Sequence, residues 1–164
     1  MQSENQHREQ DYQLLVKQAQ ALLGGETDLV ANAANLSALL YNNLPQLNWA
    51  GFYFLKAQGL VLGPFQGQIA CVRIPLGKGV CGTAAATASI QRVADVHQFS
   101  GHIACDAASN SEIVLPIIFE GQVLAVLDID SPDIGRFDAL DEQYLSQIVN
   151  IYVMACDFGG TSGI

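Results

Sequence analysis

The stretch Glu112-Ile-Val-Leu-Pro-Ile-Ile-Phe-Glu-Gly-Gln-Val-Leu-Ala-Val-Leu-Asp-Ile-Asp130 reads as two apolar runs around a Glu120-Gly121 break. Such runs on either side of a turn dipeptide predict a hairpin, with strands over Glu112 to Phe119 and Gln122 to Ile129. Ser131-Pro132 ends the second strand. Asp128 and Asp130 are two apart, so in a strand both point to one face. Two acids on an otherwise apolar strand cost stability unless paired or hydrogen-bonded. The plain account is a strand end meeting solvent before Pro132. The functional account is an anionic pocket for an ammonium group, with one acid partly protonated by its neighbour. Register decides whether Glu112 joins them. A two-residue loop pairs Phe119 with Gln122 and sets Glu112 opposite Ile129, on the wrong face. A three-residue loop, or a bulge near Pro116, brings it round to the aspartates.

Outward from the hairpin, Trp49-Ala-Gly-Phe-Tyr-Phe-Leu and Leu60-Val-Leu-Gly-Pro-Phe look like two strands joined at Lys56 to Gly59. Gln68 to Ile74 reads as a third apolar strand, and Ile90 to Val93 as a short fourth. Helical spacing marks residues from about Glu4 to Leu23, with Tyr12, Leu15, Val16, Ala19 and Leu22 inward and Gly24-Gly25 as the stop. A second helix runs from near Thr27 to Asn43, capped by Thr27 or Asp28, with Leu29, Ala33, Leu36 and Leu40 facing the core. Asp138 or Asp141 opens a terminal helix through about Ala155, carrying Leu145, Ile148, Val149 and Tyr152 on one face. The tail from about residue 158 to 164 is expected to fray. Helices at both ends of a strand meander indicate an α+β fold on a largely antiparallel sheet. At 164 residues the chain is read as one domain.

Half the residues are apolar and 14% are charged, as in a compact globule. Net charge is −9, and the seven basic residues are scattered singly, which argues against nucleic acid or an anionic membrane surface as partner. No segment approaches the length of a membrane span, and MQSENQHREQDY lacks the apolar core of a signal peptide. A cytoplasmic protein is expected, where thiols are mostly reduced.

Cys105 sits in the polar loop Gly101-His-Ile-Ala-Cys-Asp-Ala-Ala-Ser-Asn-Ser111, an odd place for a buried apolar thiol and a good one for a nucleophile. Cys81 lies at the start of an alanine-rich helix, whose dipole favours a thiolate. Cys71, on an apolar run, is by itself more often core, and Cys156 looks like core. His97 and His102 have zinc-like spacing, but no C-x₂₋₄-C pair accompanies them, so no metal is expected. Gly77-Lys-Gly-Val-Cys-Gly82 matches G-x-G-x-x-G in letters only. No βαβ pattern follows it, so it reads as a strand-to-helix connection and no cofactor is expected. Trp49 and Tyr53 share a face in a regular strand, either as core or as a box for a methyl-sulfur group.

Together, Asn48-Trp-Ala-Gly-Phe-Tyr53, Gly63-Pro-Phe-Gln-Gly67, Ala70-Cys71, Gly77-Lys-Gly-Val-Cys-Gly-Thr83, Asp95-Val-His97, His102-Ile-Ala-Cys-Asp-Ala-Ala-Ser-Asn-Ser-Glu112 and Leu127-Asp-Ile-Asp-Ser131 resemble the free methionine-(R)-sulfoxide reductases, which are stand-alone GAF domains. The resemblance spans about Asp28 to Val149. It implies a six-stranded, mainly antiparallel sheet with helices on its faces, usually in a homodimer. It also implies a thioredoxin-recycled enzyme that reduces the free amino acid sulfoxide. By this resemblance Cys105 is the catalytic cysteine, Cys71 the usual resolving cysteine and Cys81 an additional redox cysteine. Glu112, Asp128 and Asp130 fall on substrate-binding acids, and Trp49 and Tyr53 on the aromatic pocket. The other reading is a non-catalytic GAF module sensing a small ligand.

Overall fold

The computed structural model describes residues 2–103 and 107–159. Six strands form one sheet in the order β3-β2-β1-β6-β5-β4, every neighbouring pair antiparallel. They are β1 (Trp49–Lys56), β2 (Gly59–Gly67), β3 (Arg73–Ile74), β4 (Gln91–Val93), β5 (Ser111–Phe119) and β6 (Gln122–Ser131). The helices are α1 (Gln2–Leu23), α2 (Leu29–Asn43), α3 (Gly79–Thr87) and α4 (Ala139–Ala155). This is the expected α+β architecture.

The larger core lies between one face of the sheet and α1, α2 and α4. Alternate residues of the central strands supply it: Ala50, Phe52 and Phe54 from β1, Ile113, Leu115 and Ile117 from β5, Ala125, Leu127 and Ile129 from β6. Leu29, Ala33, Leu36 and Leu40 of α2 meet them, as do Leu145, Ile148, Val149 and Tyr152 of α4. Asp28 caps α2 through Val30 and Ala31 N–H, and Asp138 forms a capping box with Asp141 at α4. The opposite face carries a smaller core around Trp49, Tyr53, Val114 and Val126, covered by α3 and the loops beside it.

Two expectations need correction. On α1 the inward residue of the last turn is Leu23, not Leu22, which is 40% exposed. The apolar run Gln68 to Ile74 pairs as a strand only at Arg73 and Ile74. Ile69 is 88% and Val72 60% exposed, and side chains rather than a ladder take up two of the loop's carbonyls: Trp49 Nε1 donates to Gln68 O (3.1 Å) and Tyr53 OH to Cys71 O (2.9 Å). At the start of the tail expected to fray, Phe158 is buried against Phe119 at a ring separation of 5.0 Å. The rest of the expected frayed tail, 160–164, lies outside the described residues.

Candidate active site

Register brings the acids together. The turn at Glu120-Gly121 has two residues, both at positive φ (51° and 78°), and it pairs Phe119 with Gln122. Between Ile117 and Ile118 the pairing then shifts, so that Ile118 opposes Val123 while Ile117 opposes Ala125. Leu124 is the extra residue of this bulge. Beyond it Glu112 opposes Asp130 and Val114 opposes Asp128, which turns Glu112 to the face of the two aspartates. On the other edge of β6, Trp49 opposes Asp130 and Gly51 opposes Asp128. A Cβ on Gly51 would lie 2.3 Å from that of Phe65 and 2.8 Å from the Trp49 ring, so only glycine fits beneath the aromatics.

Glu112, Asp128 and Asp130 line a cavity of about 40 Å³ with Trp49, Tyr53, Cys81, Ser109 and neighbouring loop residues. The Trp49 ring stacks on Tyr53 at 5.9 Å and on Phe65 at 5.2 Å. Cys81 is placed by the first turn of α3, which approaches the preceding loop closely: a Cβ at Gly82 would sit 2.5 Å from Pro75 O. Its Sγ lies 3.9 Å from Glu112 Oε2. Ser109 Oγ donates to Asp130 Oδ2 (3.3 Å) and accepts from Asn48 Nδ2 (3.0 Å). Oδ1 of Asp128 and Oδ1 of Asp130 are shut off from solvent without a hydrogen-bond partner among the described residues. No Lys or Arg forms an ion pair with any of the three acids among the described residues.

Burial, then the charge of Asp128, raises the pKa of Glu112 and of Asp130 well above the usual carboxylate range. Burial, then the charges of Asp128 and Glu112, pushes the Cys81 thiol up as well. The thiolate expected from the helix dipole is therefore not what the environment favours, because the desolvated acids outweigh a partial charge at the helix end.

Of the residues picked out by sequence, the structure gathers Trp49, Tyr53, Cys81, Glu112, Asp128 and Asp130 around one cavity. Cys71 is half-buried in the loop between β2 and β3, is disulfide-bonded, and has its carbonyl held by Tyr53. Cys81 and Cys156 are free thiols. Cys105 lies outside the described residues. Sequence reasoning missed Lys78, Ser109 and Ile103 in the lining. Ser109 carried a signal in the polar loop before β5, whereas Lys78 and Ile103 fall inside the quoted glycine-rich and Cys105-loop motifs without their side-chain chemistry singling them out. His97 pairs with Asp95 (3.0 Å), and His102 joins the lining with its ionisation lowered by burial and then by His97.

A family model described as a GAF domain matches residues 18–157. The free methionine-R-sulfoxide reductase of Escherichia coli is 64% identical over 79% of this chain and 78% of its own length. The structure of fRMsr of Staphylococcus aureus in complex with substrate is 53% identical, with a TM-score of 0.86 over 89% of this chain and 95% of that one. The free methionine-R-sulfoxide reductase of Neisseria meningitidis, in complex with its substrate, is 40% identical, with a TM-score of 0.86 over 93% of this chain and 90% of that one. Fold and pocket thus define a GAF domain. Within that class, the chain belongs to the free methionine-R-sulfoxide reductase family.

Proposed function

We propose that the protein reduces free L-methionine (R)-S-oxide to L-methionine through Cys105. The observation that carries this reading is the cavity itself, where buried Glu112 and Asp128 and half-buried Asp130, with no basic partner among the described residues, sit beside stacked aromatics. A buried carboxylate without a donor is costly, and a substrate ammonium supplies both charge and N–H groups. Methionine within a peptide has no ammonium at that place, which accounts for selection of the free amino acid. Trp49 and Tyr53 offer the methyl-sulfur end an apolar, polarisable wall.

In the reaction, the Cys105 thiolate attacks the sulfoxide sulfur while Glu112 or Asp130 delivers a proton to its oxygen. An acid whose pKa burial pushes above the usual carboxylate range suits that role. Oxygen passes to Cys105 as a sulfenic acid, and methionine leaves. The Cys71 thiol then displaces water to give a disulfide, which an external dithiol reduces. The disulfide-bonded state of Cys71 supports its assignment as the resolving residue. Cys81, a free thiol here, is the additional redox cysteine. Thioredoxin as reductant, a homodimer and a cytoplasmic setting belong to the same proposal. No helix among the described residues is long and apolar enough to cross a membrane.

The test mixes protein, thioredoxin, thioredoxin reductase and racemic free methionine sulfoxide, and follows NADPH. Consumption that stops at half the sulfoxide, with the R epimer gone, is expected. No consumption, with tight binding of a cyclic nucleotide instead, would make the chain a sensor. Sedimentation should give twice the 17.6 kDa chain mass.

A further inference from the structure

We propose that Cys81, Glu112 and Asp128 form a binding site for one zinc-class divalent cation. One ligand atom of each lies within 4.8 Å of the other two, and all three residues are buried. Zinc bonds of about 2.0–2.3 Å, arranged tetrahedrally, set donors about 3.3–3.8 Å apart. The 3.9 Å between Cys81 Sγ and Glu112 Oε2 is already close to that. The donors come from three regular elements packed together, the first turn of α3 and the adjacent strands β5 and β6, so little ordering is needed on binding.

A second observation points to a cation independently of the spacing. Asp128 is a buried residue whose Oδ1 has no hydrogen-bond partner among the described residues. Polar atoms in that condition carry a penalty that a bound ion relieves. The adjoining cavity of about 40 Å³ has room for one water as a fourth ligand. One sulfur and two oxygens suit a borderline ion such as zinc. Magnesium and calcium take six or more oxygens. Binding exchanges the thiol proton for metal: the S–H bond breaks, a sulfur–metal bond forms, and the proton leaves to solvent. The ion shares Glu112 and Asp128 with the proposed ammonium site, so it acts as a reversible block on entry.

The measurement is zinc binding by the full chain with its Cys71 disulfide intact, a form in which the free thiols among the described residues are Cys81 and Cys156. It reads metal and protons rather than turnover, so its failure leaves the reductase reading standing. One zinc per chain with release of protons is expected. Cys81→Ser and Asp128→Asn should each weaken binding at least about 100-fold, while Cys156→Ser leaves it unchanged. Cobalt(II) added to the unmodified protein should give a near-ultraviolet sulfur-to-cobalt charge-transfer band, which needs no variant to fold. Absence of that band, unchanged affinity in Cys81→Ser, or loss of binding in Cys156→Ser would overturn the site.

Discussion

Residues 125 to 130 serve two different environments by turns. Ala125, Leu127 and Ile129 point into the dry core under α1, α2 and α4, and Val126, Asp128 and Asp130 point to the side covered by α3. The same alternation separates Ile113, Leu115 and Ile117 from Glu112 and Val114, and Phe52 from Trp49 and Tyr53. One side is closed by three helices and filled with aliphatic and aromatic side chains. The other is roofed by a nine-residue helix and holds three acids and a thiol around a small void. The larger apolar core lies on the first side, and the second holds carboxylate oxygens without a hydrogen-bond partner among the described residues.

Exchanging chemistry between the sides tests this separation most severely. Leu127→Asp puts a carboxylate into the dry core and should cost more than about 4 kcal/mol, abolishing a cooperative melt. Its neighbour Asp128→Leu should do the reverse, raising stability by about 1–3 kcal/mol and destroying turnover. Near this chain length that corresponds to roughly 2–4 °C in Tm for each kcal/mol. A destabilised Asp128→Leu would mean that the acid is part of the scaffold after all.

Two acid clusters should answer pH with opposite slopes. Glu112 and Asp130 have pKa values raised in the folded state. The stability they contribute is full below their unfolded values near 4.5 and 3.8 and is lost as pH climbs through the folded values. Thermal melts from pH 4 to 8 should therefore show the natural protein falling relative to a Glu112→Gln/Asp130→Asn variant. At the mouth of α4, Asp138 is held below its usual range by its hydrogen bond to Arg8. Its contribution is present above about pH 3.8 and vanishes as pH falls below it. Melts of Asp138→Asn, which keeps the cap, should differ from the natural protein at pH 6 and converge with it in acid. Parallel slopes in the two variants would refute the contrast.

Smaller effects separate tethering from packing. Trp49→Phe keeps a ring but deletes the donor to Gln68 O, so it should cost about 1 kcal/mol and loosen the loop that carries Cys71. Slower formation of the Cys71 disulfide after one turnover is the readout, and an unchanged rate would leave Trp49 as wall only. Asp28→Ala, a lost cap on the dry side, should likewise cost about 1 kcal/mol with turnover untouched.

Much of this layout was legible in the sequence because alternation of apolar residues carries it. The helices, the hairpin and the shared face of Asp128 and Asp130 follow from spacing alone, which also narrows the α2 cap to Thr27 or Asp28; the structure shows Asp28. Glu112 was legible only as a condition, since a two-residue turn turns it away and a bulge turns it back. The structure meets that condition at Leu124, two residues before Val126, the partner of Pro116. Residues 68–72 misled because an apolar run normally signals burial. Here indole and hydroxyl donors from β1 hold it as an open loop. The state of Cys81 was out of reach for another reason: the acids that raise it arrive from residues 112 to 130, and only folding brings them near.

The central claim is that the acids on the α3 side choose the substrate by its ammonium and present it to a reactive sulfur. Fully reduced protein, without added reductant, should be mixed with free or N-acetylated methionine (R)-sulfoxide and quenched within one turnover. The account predicts methionine from the free amino acid and a rate at least about 100-fold lower for the acetylated one, a gap that Asp128→Asn narrows. Equal rates for the two substrates would contradict it.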